Sequence, residues 1–160
     1  MTIKIGDHIP TATFNVMTAD GKQEMTTEVI FTGRKVVLFA VPGAFTGTCT
    51  NAHMPSFLAH FDDIKAKGVD MIACTSVNDP DVMTAWAKST GADGKIVMLA
   101  DGNAAFARAV GLEKDLTVAG MGLRSSRYSM IVENGVVTHL NVESKSGVNV
   151  SGAETILQQL

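Results

Sequence analysis

Along the chain, apolar residues fall into short runs separated by turn-forming residues, and their spacing switches between strand and helix periods. Asp20-Gly21 between Thr11–Met17 and Glu24–Thr27 predicts an N-terminal hairpin. Lys35–Val41 (KVVLFAV) is continuously apolar over a strand's length, as expected for a strand covered on both faces. After the loop Pro42–Thr48, the positions Met54, Phe57, Leu58, Phe61 and Ile64 keep helical spacing. A helix is predicted from Thr48–Thr50 to Gly68, bent by Pro55 inside it.

Val69–Val77 and Ile96–Ala100 read as further buried strands. Between them, Asp79 as N-cap and Pro80 at the first helical position open a helix to about Ser89. A second helix runs from Asn103 to Val110, stopped by Gly111, and residues 112–126 are Gly-rich and loop-like. Asn134-Gly135 joins Arg127–Glu133 to Val136–Val142 as a hairpin. Ser151-Gly152-Ala153-Glu154 has capping-box spacing for a C-terminal helix. Alternating strands and helices imply parallel pairing, and the two hairpins add antiparallel strands. The expected fold is therefore α/β: a central mixed sheet with helices on both faces and an N-terminal hairpin, the thioredoxin-like arrangement, in one domain spanning 1–160.

Composition narrows the function. Apolar residues make up 46% and charged residues 18%, as in a globular chain. The net charge of −3 and the lack of any Lys/Arg cluster give no surface for nucleic acid or membrane. No apolar run reaches membrane-spanning length, and the N-terminus lacks a signal-peptide pattern, so a cytoplasmic location is expected. Two cysteines, Cys49 and Cys74, are too few for a disulfide framework. Both are expected as free thiols.

Their settings differ. Cys49 follows the loop at the C-terminal end of a buried strand, where open α/β sheets place their ligand sites. It falls in the first turn of a helix, where unpaired backbone N–H groups and the helix dipole stabilise a thiolate. Cys74 lies mid-strand among apolar residues and reads as a small core hydrophobe. The position three after Cys49 is Ala52, so no C-x-x-C dithiol exists at this loop. His53, one helical turn after Cys49, shares its helix face. Two such side chains do not make a metal site, and none is expected. No cofactor is expected either.

The motif Pro42-x-x-x-Thr46-x-x-Cys49, inside VPGAFTGTCTNAHMPSF, resembles the signature of the peroxiredoxins, and the longer string their type five branch. Ser76–Pro80, Leu99–Asn103 and Gly122–Tyr128 are similar to segments of that branch. The resemblance implies a thiol-dependent peroxidase for hydrogen peroxide and alkyl hydroperoxides. It makes Cys49 the peroxidatic cysteine and gives Thr46 a hydrogen bond to the peroxide. Pro42 would shield the thiolate, and Arg127 would hold thiolate and peroxide oxygens, with Arg124 as its rival in sequence. His53 matches a histidine common in the branch and would tune the site. Phe45, with the apolar loop residues, would accept an organic substituent.

The sequence departs from the branch in two places. Val150 stands where animal members carry a resolving cysteine, and Gly47 where a proline often follows the threonine. A one-cysteine enzyme recycled by glutathione/glutaredoxin, thioredoxin or a similar thiol system is expected. A redox sensor passing its oxidation to a partner is the alternative, and an interaction module with an inert Cys49 a third. Members of the branch pair as dimers, so a homodimer formed through Ala119–Leu123 and Asn78-Asp79-Pro80 is expected.

Overall fold

The computed structural model describes residues 1–160. The N-terminal hairpin pairs β1 (Thr13–Thr18) with β2 (Gly21–Thr26). A short helix α1 (Thr27–Phe31), capped by the Thr26 hydroxyl, leads into β3 (Lys35–Ala40). β4 (Met71–Ser76), α4 (Pro80–Thr90) and β5 (Val97–Ala100) follow the helical stretch after Cys49, which contains α2 (Met54–Ala59) and α3 (Phe61–Ala66). Next come α5 (Ala105–Ala109), β6 (Glu113–Asp115), β7 (Leu123–Ser125), the hairpin β8 (Tyr128–Glu133) and β9 (Val136–Val142), and α6 (Ala153–Gln159).

Seven strands form one mixed sheet in the order β2-β1-β5-β4-β3-β8-β9. β3, β4 and β5 run parallel, and β1 and β8 join them antiparallel. Alternation along β3 splits the core in two. Val37 and Phe39 face a cluster with Met54, Phe57, Ile64, Trp86 and Ile156, from α2, α3, α4 and α6. Val36 and Leu38 face the other side, with Ile30, Phe31, Phe106 and Val110 around α1 and α5. Helices therefore cover both faces, as the continuous apolar run of β3 demands. The arrangement is the expected thioredoxin-like one.

Several local expectations change. Residues 112–126 are not all loop, because β6 and β7 pair antiparallel. Glu113, Lys114 and Asp115 are all exposed, so no apolar alternation marks β6. The helix expected from Asn103 starts at Ala105, where Asp101 caps it by accepting from the N–H groups of Phe106 and Ala107 at 3.0 and 2.9 Å. The Ser151 capping box does not form. Ser151 gives its hydroxyl to Glu143 instead, and the N–H of Ala153 turns to Ser56 Oγ at 3.3 Å.

The long helix after Cys49 is also interrupted differently from expectation. Residues Cys49–His53 form a wide π-turn, closed by the N–H of Met54 donating to the Cys49 carbonyl. Pro55 follows directly. Its ring would clash with the Asn51 carbonyl in an α ladder, and it has no N–H to donate. The widened turn just before it accommodates both problems. The sharper break falls at His60, between α2 and α3, where the backbone leaves the helical region.

A candidate active site at Cys49

The turn carrying Cys49 grows out of the end of β3. The N–H of Thr50 donates to the Thr46 carbonyl at 3.0 Å, so the helical path already begins around Gly47. Cys49 then lies in the first turn, as expected. The loop before it is held tightly. Ala44 N–H donates to Asn78 Oδ1 at 3.0 Å, and Ser76 Oγ donates to the same oxygen at 2.7 Å. Gly43 sits close to its neighbours: a Cβ there would stand 3.1 Å from Thr46 Cγ2 and from Met121 Cε, and these side chains would have to give by a few tenths of an ångström. Phe45 takes a left-handed φ of 64°, which a non-glycine residue adopts at a cost of about 1–2 kcal/mol.

Arg127 immediately precedes β8, beside β3 in the sheet. Its Nη2 donates to Cys49 Sγ at 3.1 Å, and its Nη1 donates to His53 Nδ1 at 2.9 Å. One guanidinium thus serves the sulfur and the imidazole together, a use of the planar fork that lysine cannot copy. Arg124 is committed elsewhere. Its Nε donates to the Met121 carbonyl at 2.9 Å and its Nη1 to the Val77 carbonyl at 3.2 Å, tying the loop after β6 to the end of β4.

His53 is wholly buried against the stacked rings of Phe39 and Phe57, with centroids 5.0 and 5.7 Å away. Its Nε2–H donates to the Ser151 carbonyl at 2.9 Å. A carbonyl can only accept and a guanidinium can only donate, so the neutral Nε2–H tautomer fits both partners. Burial drives the imidazole pKa down to about 4, and Arg127 adds to this, against the Ser151 carbonyl and Glu143, which favour the charged form. At neutral pH His53 is an uncharged acceptor for Arg127.

Ser151 is held in turn by Glu143. One carboxylate oxygen of Glu143 accepts from the N–H groups of Asn149, Val150 and Ser151 at 2.8, 2.8 and 2.9 Å, and from Ser151 Oγ at 2.6 Å. Partial burial would raise the Glu143 carboxyl, but these hydrogen bonds outweigh it and hold it below the usual carboxylate value. Sequence reasoning singled out neither residue. Ser151 read as a helix cap, and Glu143 carried no expectation.

The other expected site residues divide. Thr46 Oγ1 donates to the Gly43 carbonyl at 2.6 Å, which uses its only hydrogen and leaves the oxygen free to accept. A cleft of about 720 Å³ opens beside Arg127, with Pro42, Thr48, Ser126, Lys114 and Lys145 in its walls. Pro42 is the one apolar side chain there. Phe45 is 53% exposed and does not line this cleft. Cys49 is only 1% exposed. Cys74 is fully enclosed on β4, and burial, reinforced by the nearby Cys49, pushes its thiol well up.

A sulfur held by a fixed cationic donor, three residues after a hydroxyl whose hydrogen is already given to a carbonyl, is suited to nucleophilic attack on a small O–O compound. Comparison with known proteins agrees. Residues 4–157 match the Redoxin family model. Peroxiredoxin-2C of Oryza sativa subsp. japonica is 43% identical, over 99% of this chain and 98% of its own. The chain belongs to the peroxiredoxins. Reduced Prx3 of Vibrio vulnificus, solved in complex with hydrogen peroxide, is 51% identical with a TM-score of 0.95, and 99% of each chain is covered. Peroxiredoxin 5 from Alvinella pompejana is 35% identical with a TM-score of 0.85, again over 99% of each chain. Like other peroxiredoxins, the protein is a thiol-dependent peroxidase with the thioredoxin-like fold. No helix is long and apolar enough to cross a membrane.

Proposed function

We propose that this peroxiredoxin works by a one-cysteine cycle centred on Cys49. The Cys49 thiolate attacks the nearer oxygen of a hydroperoxide, the O–O bond breaks, and the departing alkoxide or hydroxide takes a proton to leave as alcohol or water. The sulfur is left as sulfenic acid. An external thiol condenses with it, releasing water and forming a mixed disulfide. A second thiol then restores Cys49 and departs as the external disulfide. The observation that carries this reading is Arg127 Nη2 at 3.1 Å from Cys49 Sγ. A donor fixed along the sulfur–oxygen axis stabilises charge moving from sulfur to the leaving oxygen more than it stabilises the resting thiolate.

The remaining roles follow from the same geometry. Thr46, its hydrogen given to Gly43, accepts a hydrogen bond from the peroxide O–H. Pro42 walls the cleft and keeps water off the sulfur. The sulfur's near-complete burial admits a small peroxide, whereas a bulkier reductant reaches the sulfenic acid only once the turn 47–53 opens. The polar cleft favours hydrogen peroxide and small polar hydroperoxides over long apolar ones. With Cys74 enclosed and Val150 in place of a resolver, glutathione/glutaredoxin is the favoured reductant over thioredoxin. We further place the chain in the type five branch, as a cytoplasmic homodimer. Relatives are named as chloroplastic and mitochondrial, so fractionation tests the compartment. Exposed Phe45 and Val118, with Met121 packed beside Gly43, supply an apolar pairing surface around the site. Sedimentation tests the pairing.

Stopped-flow mixing of the reduced protein with hydrogen peroxide tests the cycle. Fast second-order oxidation that is abolished in Cys49→Ser, with steady turnover on glutathione and glutaredoxin, is expected. A reaction no faster than that of free cysteine would remove the peroxidase assignment of Cys49.

A further inference from the structure

Four residues form a closed ring of hydrogen bonds beside the reacting sulfur. The Glu143 backbone N–H donates to the Arg127 carbonyl at 3.0 Å. The Arg127 guanidinium donates to His53 Nδ1, and His53 Nε2–H donates to the Ser151 carbonyl. Ser151 returns to Glu143 through both its N–H and its hydroxyl. Resting on the reading of Cys49 as the peroxidatic sulfur, we propose that Glu143 is a positioning residue, acting through Ser151 and His53 to aim the Arg127 guanidinium at Cys49.

Glu143 holds this place through its reach. From the end of β9 its backbone secures the main chain of Arg127, while its carboxylate gathers the loop 144–151. Three N–H groups and a hydroxyl converging on one oxygen make an anchor of charge-assisted hydrogen bonds. That anchor fixes the Ser151 carbonyl, and the carbonyl dictates which nitrogen of His53 carries the proton. If the carbonyl drifts, Nε2–H loses its partner and the Nδ1–H tautomer becomes accessible. That tautomer presents a hydrogen to Arg127, which has only hydrogens to give, and the guanidinium must turn away from it. The same rotation takes Nη2 off Sγ. Glu143 lies in the wall of the cleft beside Arg127 but makes no hydrogen bond to the sulfur or to the guanidinium.

A double-mutant cycle tests this with Glu143→Ala and His53→Phe, the latter filling the aromatic surroundings without polar atoms. Each single variant is expected to slow Cys49 oxidation about tenfold, the scale of one lost charge-assisted hydrogen bond. If Glu143 acts through His53, the double variant is no slower than His53→Phe alone. In the intact protein the ¹⁵N resonances of His53 should report a single Nε2–H tautomer, and in Glu143→Ala a mixture. Should Glu143→Ala not fold, Glu143→Gln keeps the length, loses the charge, and should give a smaller loss of the same non-additive kind. Multiplying losses in the double variant, or an unchanged rate and tautomer in the Glu143 variants, would overturn the proposal. A wild-type protein that does not oxidise rapidly at Cys49 would instead overturn the reading beneath it.

Discussion

Arg127 and Cys49, 78 residues apart in the chain, meet at 3.1 Å from Nη2 to Sγ. The antiparallel pairing of β3 with β8 sets Ala40 opposite Tyr128, so the end of one strand and the start of the other share an edge of the sheet. The turn after β3 delivers the sulfur, and the residue before β8 delivers the guanidinium.

Arg127→Ala should therefore lower the rate of Cys49 oxidation by about 10²–10³, the usual effect of removing one preorganised charge-stabilising donor. Arg127→Lys should recover little. A single ammonium on a flexible stem cannot serve Sγ and His53 Nδ1 with a fixed fork. Second-order rates for the two variants, measured by stopped flow, check this.

His53 makes stability depend on pH. Its folded pKa of about 4 lies below the ordinary 6.5, so the unfolded chain binds the proton more readily. The sign follows: stability from the neutral imidazole is fully present above pH 6.5 and is lost as pH falls from 6.5 towards 4. The loss amounts to about 3 kcal/mol across that window. Urea denaturation at intervals between these pH values should show the fall in the wild-type protein and a much flatter course in His53→Phe.

Much of this fold was legible because its signals are local. The hydrophobic run of β3, the Asp79-Pro80 start of α4 and the Asn134-Gly135 turn each lie within a few residues of what they determine. Cys49 could be singled out from its place after β3 alone. What escaped depends on contacts across the sheet. Ser151 could not be told from a helix cap until Glu143, just beyond β9, competed for its hydroxyl. β6 bears only exposed polar residues, so its pairing with β7 leaves no periodic trace. The preference for Arg127 over Arg124 came from family resemblance, and only the backbone carbonyls around Arg124 explain physically why it is occupied elsewhere.

Gly47 makes a conformational prediction. It starts the turn of Cys49 with no hydrogen bond from its N–H, and a Cβ there would meet open space. These are the conditions under which proline suits a first helical position. Gly47→Pro should raise stability by about 0.4–1 kcal/mol through a less flexible unfolded chain. If opening of the turn limits recycling, turnover with external thiol should slow while the peroxide step keeps its rate. Thermal melts and paired single- and multiple-turnover assays separate the two effects.

Val150 is 42% exposed and adjoins Ser151, whose carbonyl holds His53 one turn from Cys49. Val150→Cys should therefore place a thiol within reach of Cys49 once the turn opens. After one equivalent of peroxide, the variant should form an internal disulfide and become a better substrate for thioredoxin. Non-reducing mass analysis of tryptic peptides checks the bond.

The central claim is that Cys49 is oxidised alone and needs a thiol from outside the chain. Mass spectrometry of the reduced protein, treated with one equivalent of hydrogen peroxide and trapped with dimedone in the absence of any other thiol, tests it directly. The account requires a dimedone adduct on Cys49 and a Cys74 that remains alkylatable after denaturation. A Cys49–Cys74 disulfide, or a Cys49 left unmodified, would contradict it.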